Sequence, residues 1–246
     1  MNLLVCISKT PDTTSKISFK SDDTEYNSDG VSFIMNPYDE WYALVRALEL
    51  TEQHGGNVTV LNVGPASNDI IIRKALAIGA NDAVRVDLEN ADSYVTASNI
   101  ASYVKTKSFD IIFLGKESID YNGSEVGAMV AELLNLPYVS YASSLEVNGN
   151  ISKVTREIEG GVEINEIEGP FVLSAAKGLA EQRIPNMKGI MMAKNKPLSV
   201  ISPTDASQRI KAIKYILPNV KSGVKLIDPD NMDELVRLLH EEAKVI

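Results

Sequence analysis

Four short runs of apolar, mostly β-branched or aromatic residues, at 3–7, 58–63, 83–86 and 109–114, alternate with segments at 38–53, 69–78 and 93–105 whose apolar residues fall at helical spacing. An uninterrupted apolar run suits a strand covered on both faces, which happens in parallel sheets sandwiched by helices. Repetition of such units leaves few architectures, and the simplest is a doubly wound, mainly parallel α/β sheet with right-handed crossovers. Ligands of these sheets sit beyond the carboxyl ends of the strands, where the strand order reverses. The loops at 8–12, 63–67 and 115–125 are therefore the candidate site.

Two departures interrupt the alternation. Residues 9–36 form an insertion in which 16–20 and 31–35 flank a charged turn with Asp29-Gly30, the pattern of a β-hairpin arm. After Pro137 the runs 144–147, 153–158, 162–167 and 171–175 are separated by Asn148-Gly149 and Glu159-Gly160-Gly161 turns, so antiparallel strands are expected to extend the sheet. A polar loop at 177–185 and a short Met-rich helix at 187–194 follow. Pro197, Pro203 and Pro218 then break up the chain until a terminal helix with Leu235, Leu238, Leu239 and Ala243 on one stripe. So long an irregular stretch is unusual inside a compact domain. The chain reads as a domain at 1–193 and a carboxyl-terminal arm at 194–246 that lies on another subunit, the alternative being an arm folded back on its own domain.

The loop from Gly115 to Gly127 joins the 109–114 strand to a helix at 126–134. Its N–H groups and the positive end of the helix dipole should face whatever sits above the strand ends. A nucleotide phosphate is one guest for that geometry; an ordinary turn, capped by its own Asp and Asn, is the other reading. The formal charge of −9 and pI near 4.9 argue against a general nucleic-acid binder, which needs clustered Lys and Arg. With Cys6 alone and two distant histidines, His54 and His240, no internal disulfide and no Cys- or His-based metal site is expected. No Ser-His-Asp set or Cys-His pair is recognisable either. Neither a signal peptide nor an apolar segment of about 18 residues is apparent, so a cytoplasmic chain without membrane insertion is expected.

Six blocks, in order, cover nearly the whole chain: Val5-Cys6-Ile7-Ser8-Lys9-Thr10-Pro11-Asp12, Met35-Asn36-Pro37-Tyr38-Asp39-Glu40, Arg73-Lys74-Ala75-Leu76-Ala77-Ile78-Gly79-Ala80, the 115–127 loop, Val154-Thr155-Arg156-Glu157-Ile158-Glu159-Gly160-Gly161, and Arg183-Ile184-Pro185-Asn186 through Ala193-Lys194. Together they resemble the β subunit of electron transfer flavoprotein. The resemblance implies an adenine nucleotide α-hydrolase-like, Rossmann-type fold and a heterodimer with a larger α subunit. It also implies an FAD held mostly by α and an AMP bound within β. Electrons would pass from acyl-CoA dehydrogenases or related flavin dehydrogenases to a quinone-linked oxidoreductase. A chain of this kind is half of an electron carrier, with no substrate turnover of its own.

Carried onto this sequence, the resemblance places Cys6, Ile7 and Ser8 at the adenine, with Asn36 and Val63 beside it. Gly115, Asp120, Gly123, Ser124, Glu125 and Val126 would surround the phosphate, with Ser124 adding a hydroxyl to a nest of N–H groups. Many AMP-binding members carry Asn-Gln-Thr where this chain has Ser124-Glu125-Val126. Glu125 is expected to face solvent while its N–H serves, and a second FAD in place of AMP, as in bifurcating members, is the alternative. Tyr38 matches a family aromatic near the dimethylbenzene edge of the shared FAD, and Thr13 a position often aromatic elsewhere. A Tyr38 that only staples the helix start is the competing reading. The loop at 176–185 is implied to dock the dehydrogenase, with Leu179 inserted into a hydrophobic pocket and Ala180, Glu181 and Arg183 around it. Against this stands a Leu179 packed on its own core.

Two other classes compete. A nucleotide-binding stress-response module shares this sheet type but leaves the Pro-containing arm and the 176–185 loop without a role, and a stable homodimer would mark it. An α/β nucleotidyl transferase would need an assembled acid–base set, and ATP turnover by the isolated chain would mark that.

Overall fold

The computed structural model describes residues 1–220 and 223–246. Its strands are β1 (Asn2–Cys6), β2 (Lys9–Pro11), β3 (Phe33–Met35), β4 (Asn57–Gly64), β5 (Asp82–Asp87), β6 (Ile111–Gly115), β7 (Tyr138–Asn148), β8 (Ile151–Ile158), β9 (Gly161–Glu168), β10 (Phe171–Ala175) and β11 (Leu198–Ile201). The helices are α1 (Asp39–His54), α2 (Asp69–Ile78), α3 (Ser93–Val104), α4 (Val126–Leu134), α5 (Met187–Ala193) and α6 (Met232–Leu238). Nine strands form one sheet in the order β11-β5-β4-β1-β6-β10-β7-β8-β9. Pairing is parallel from β11 through β7 and antiparallel for β7 with β8 and β8 with β9, so the expected α/β fold class is the observed one.

The central strands are apolar throughout because successive residues serve opposite layers. Leu3 and Val5 of β1 and Ile111 and Phe113 of β6 pack with α1 and α2 residues such as Leu44, Leu48, Ile72 and Leu76. Leu4 and Cys6, with Ile112 and Leu114, pack instead with Ala97 and Ile100 of α3 and Val130 of α4. A strand buried on both faces follows directly from this alternation. From β1 the chain adds β4 and then β5 on one side, and crosses back through α3 to place β6 on the other. The strand order thus reverses between β1 and β6, where the three candidate loops emerge.

The hairpin differs from its expected form. Its ladder runs between β2 and β3, Lys9 opposite Met35 and Pro11 opposite Phe33, and no strand forms over 16–20. Asp12 explains the stop: its carboxylate accepts from the N–H and hydroxyl of Thr14, turning the chain away from the ladder.

The boundary expected at 193 also moves. The chain divides into one unit of Met1–Ile17 with Asn27–Ile213 and a second of Ser18–Tyr26 with Lys214–Ile246. Strand β11, inside the segment expected to be an arm, pairs in parallel with β5 from Leu198 opposite Ala83 to Ile201 opposite Val86. Four residues between two prolines carry too little pattern to announce a strand. In the second unit Phe19 bridges to Tyr26 and stacks on Tyr215 at 4.8 Å, and Asn231 caps α6 through the Glu234 N–H. Among the described residues no helix is long and apolar enough to cross a membrane.

Lys196 secures the β11 edge. The last turn of α2 contains no basic residue, and the Lys196 ammonium donates instead to the carbonyls of Leu76 (2.9 Å), Gly79 (3.1 Å) and Ala80 (2.5 Å). Arg73 ties the same junction by donating to the carbonyls of Ala193 and Lys196. A cation on helix-terminal carbonyls is favourable through both hydrogen bonds and the helix dipole. Lys196→Met is expected to lower stability by about 1–2 kcal/mol. A urea unfolding midpoint equal to the parent's would contradict this role.

Candidate functional site

The reversal point is a junction of three chain segments. Ser8, just past β1, donates its N–H to Glu40 Oε2 (2.7 Å) and its hydroxyl to Glu40 Oε1 (2.6 Å). Asn36, fully buried, receives Ser8 through its own N–H to the Ser8 carbonyl (2.9 Å). Its side chain spans to the loop after β6, donating to the Glu117 carbonyl (2.9 Å) and accepting from the Ile119 N–H (3.0 Å). Gly115 closes the junction: a Cβ at that position would lie 2.8 Å from Glu40 Cγ and 3.1 Å from the Glu40 nitrogen, so only glycine lets β6 end against the start of α1. The structure brings Ser8, Asn36 and Gly115 to one junction.

The phosphate-side loop has the backbone form that gathers amides. Ser124 adopts φ +54° and Glu125 is in the right-handed helical region, a left–right alternation that turns successive N–H groups to one side. No side chain caps α4, whose first N–H groups have no intrahelical partner. The Ser124 hydroxyl donates to Glu117 Oε2 (3.0 Å), while Lys116 lies 3.6 Å from Glu117 Oε1. Asp120 and Gly123 are exposed, and Val126 is half-buried against the α3–α4 layer. Glu125 departs from expectation. It does not stand free in solvent but is half-buried, with Oε1 accepting from the Ser93 hydroxyl at 2.6 Å, because the first turn of α3 lies beside this loop.

On the β4 side a buried amide chain underlies Val63, which is itself half-buried. Asn62 donates to the Ile7 carbonyl (2.8 Å) and accepts from Asn68 (3.0 Å). Two side-chain oxygens, Thr10 Oγ1 on β2 and Asn68 Oδ1 just before α2, are buried without a hydrogen-bond partner. Buried polar atoms of this kind call for an explanation, and an arriving polar ligand is one. Arg85, 4% exposed, joins Gly64 of β4 (carbonyl, 3.1 Å) to Asp69 (2.8 Å) at the start of α2. Sequence reading overlooked Asn62, Asn68 and Glu40. The signal for the first was an amide interrupting the apolar run of β4, and Glu40 was hidden inside a motif read only as a helix start.

Burial sets the protonation chemistry. It raises the Cys6 thiol far above its ordinary range, with Glu40 adding to the effect, so Cys6 is an inert neutral side chain. Burial raises Asp39 to about 6, with Lys116 opposing and Glu117 adding. Glu40 rises to about 8 because burial outweighs the stabilising contacts from Ser8 and Asn36, and Asp120 pushes it further.

Tyr38 precedes α1 with φ 65° and ψ −94°, and is 53% exposed. A non-glycine residue there is strained, and strain of this kind gathers at functional positions. Thr13 is exposed in the turn after β2.

The partner loop corrects an expectation. Leu179 is 5% exposed and packs in the α1–α2 layer with Ala180 against it, so it is a core residue as the loop stands. Gly178, at φ +102°, turns the chain so that Leu179 points inward. The exposed apolar residue of the loop is Ile184, at 83%, continued by Met187, Met191 and Met192 of α5. Arg183 holds the loop in place through Glu52 (2.6 Å), and its carbonyl accepts from Trp41 Nε1 (3.1 Å); Glu181 is exposed.

Fold and geometry define a doubly wound α/β protein with an uncapped strand-to-helix turn at its strand-order switch. The family model described as "Electron transfer flavoprotein domain" matches residues 24–206. The chain is 37% identical to electron transfer flavoprotein subunit beta of Bacillus subtilis, with all of both chains covered. It is 35% identical to the same subunit of Syntrophomonas wolfei, over 93% of this chain and 90% of that one. It is 31% identical to the acryloyl-CoA reductase electron transfer subunit gamma of Anaerotignum propionicum, over 82% of this chain and 77% of that one. The chain belongs to the electron transfer flavoprotein family, among its beta subunits.

Proposed function

We propose that this chain is the β half of a heterodimeric electron carrier that holds one AMP structurally at the β1–β6 junction. A larger α subunit would hold most of an FAD, which supplies the redox chemistry, and Tyr38 and Thr13 would border that flavin from this side. The carrier would take electrons from an acyl-CoA dehydrogenase or related flavoenzyme and deliver them to a quinone-linked oxidoreductase, with no substrate turnover of its own. The observation that carries the reading is the convergence of Ser8, Asn36 and the uncapped start of α4 at the strand-order reversal, in a chain of this family.

The donor set suits a mononucleotide. Backbone groups at Cys6, Ile7 and Ser8 and the half-buried Val63 flank the place for a base, while the N–H groups from Gly123 to Val126 favour a phosphate. Gly115 and Asn36 hold these two walls together rather than recognising the nucleotide chemically. Carboxylates at Glu117, Asp120 and Glu125 disfavour a second phosphate beside the first, which argues for AMP over the pyrophosphate of a second FAD. For partner recognition, Ile184 takes the anchoring role first assigned to Leu179, with Ala180, Glu181 and Arg183 shaping the loop, since an anchor must be exposed before it can enter a pocket. The segment after Ile213 is proposed to pack on the α subunit.

Co-expression with the α subunit and analysis of the denatured complex is expected to yield one flavin and one AMP per heterodimer. Two flavins without AMP would install the second-FAD alternative, and failure to form a heterodimer would reject the reading altogether.

A further inference from the structure

Glu40 is a buried carboxyl that touches two walls of the crevice. Both of its oxygens meet Ser8, at 2.6 and 2.7 Å, which places the end of β1. Its Cγ abuts the Cα side of Gly115, which places the end of β6. At 7% exposure, and with glycine the only residue that fits beside it, the side chain has no room to swing out. Asn36 then relays the same arrangement to the Glu117 carbonyl and the Ile119 N–H.

We propose that Glu40 is the positioning residue of the nucleotide crevice, spacing the Ser8 and Gly115 walls, and that the proton it carries adjusts the crevice to an anionic guest. This rests on the reading of the crevice as an AMP site. The contacts to Ser8 survive either protonation state, because a neutral carboxyl donates to the Ser8 hydroxyl where the carboxylate accepts from it. Only the charge changes. The Asp120 carboxylate already raises Glu40, and a phosphate arriving at the same loop adds a second anion. By linkage, nucleotide binding then favours the proton on Glu40 and that proton favours the nucleotide.

The sign follows from the folded-state value of about 8. Affinity is full below it and declines as the pH rises through it. The other ionisable groups facing Glu40 are Cys6 on β1, Asp39 beside it on α1 and Asp120 on the β6–α4 loop. Cys6 is held far above this range and Asp39 sits near 6, so neither changes charge between roughly pH 7 and 9. The AMP phosphate, with a second ionisation near pH 6, is also constant there.

The test is calorimetric titration of AMP into the nucleotide-stripped heterodimer at about pH 7, 8 and 9, with FAD content as the check on assembly. The parent is expected to bind AMP about fourfold more weakly at the highest pH than at the lowest, the size of a charge interaction across about 10 Å of partly hydrated protein. Glu40→Gln keeps the shape without the charge, so it should match the parent at pH 7 and show no such slope. Glu40→Ala removes the acceptor for the Ser8 N–H and should weaken AMP about tenfold at every pH. A Glu40→Gln protein with the parent's slope, or a Glu40→Ala protein with the parent's affinity, would overturn the assignment while leaving the AMP site intact. A parent heterodimer that binds no AMP at any pH would remove both the site and the inference. If Glu40→Ala does not assemble, the Glu40→Gln slope decides.

Discussion

Leu179→Ala is expected to lower the stability of the chain by about 2–4 kcal/mol, the usual cost of truncating a buried leucine when the cavity cannot fully collapse. Leu179 is almost fully enclosed by the layer formed with α1 and α2. Ile184→Ala is expected to leave stability within about 0.5 kcal/mol of the parent, because 83% of that residue is already in water. Its effect should appear in electron acceptance from a dehydrogenase, slowed by about tenfold or more if it is the anchoring contact. Urea denaturation and stopped-flow flavin reduction separate the two roles. An unchanged midpoint with slowed transfer in Leu179→Ala would return the anchor to Leu179.

Asn36→Ala is expected to empty the proposed nucleotide site. The side chain is fully buried and serves both a donor and an acceptor across the β1–β6 junction, so its removal leaves the Ile119 N–H and the Glu117 carbonyl unpaired. Two such losses come to about 2–4 kcal/mol. The loop from Gly115 to Val126 should then lose its fixed relation to Ser8, and AMP should be absent from the denatured heterodimer. Asn36→Asp keeps the acceptor for Ile119 but puts an anion against the Glu117 carbonyl, so it should fall between alanine and the parent. Full AMP content in Asn36→Ala would show that the two walls hold without the bridge.

Much of the fold was legible because strand and helix periods are local properties. The helix at 69–78 and the strand at 171–175 appear with the expected ends, and α4 begins at Val126 as its apolar spacing indicates. The hairpin was misread because Asp12 and Thr14 turn the chain before the 16–20 run can pair, a side-chain decision invisible to alternation. Strand β11 was missed because four residues carry almost no period, and its place is set by Lys196 reaching the end of α2 more than a hundred residues earlier in the chain.

The candidate site divides along the same line. Gly115 and Ser124 could be named from sequence because a strand-to-helix loop at a parallel sheet's carboxyl edge presents amides, and Asn36 because the family resemblance placed it beside the nucleotide. Glu40 could not, since its importance lies in a raised proton affinity that only burial creates, and burial is a property of the packed molecule. The same holds for the exchange of Leu179 and Ile184: both are aliphatic residues on one polar loop, and nothing local distinguishes them. The amino-acid sequence by itself determined the doubly wound sheet and the location of its crevice, because backbone hydrogen bonding and hydrophobic period leave few alternatives. Which side chains face that crevice, which carry a proton and which reach solvent was decided only when the layers closed, because those properties depend on neighbours distant in the chain.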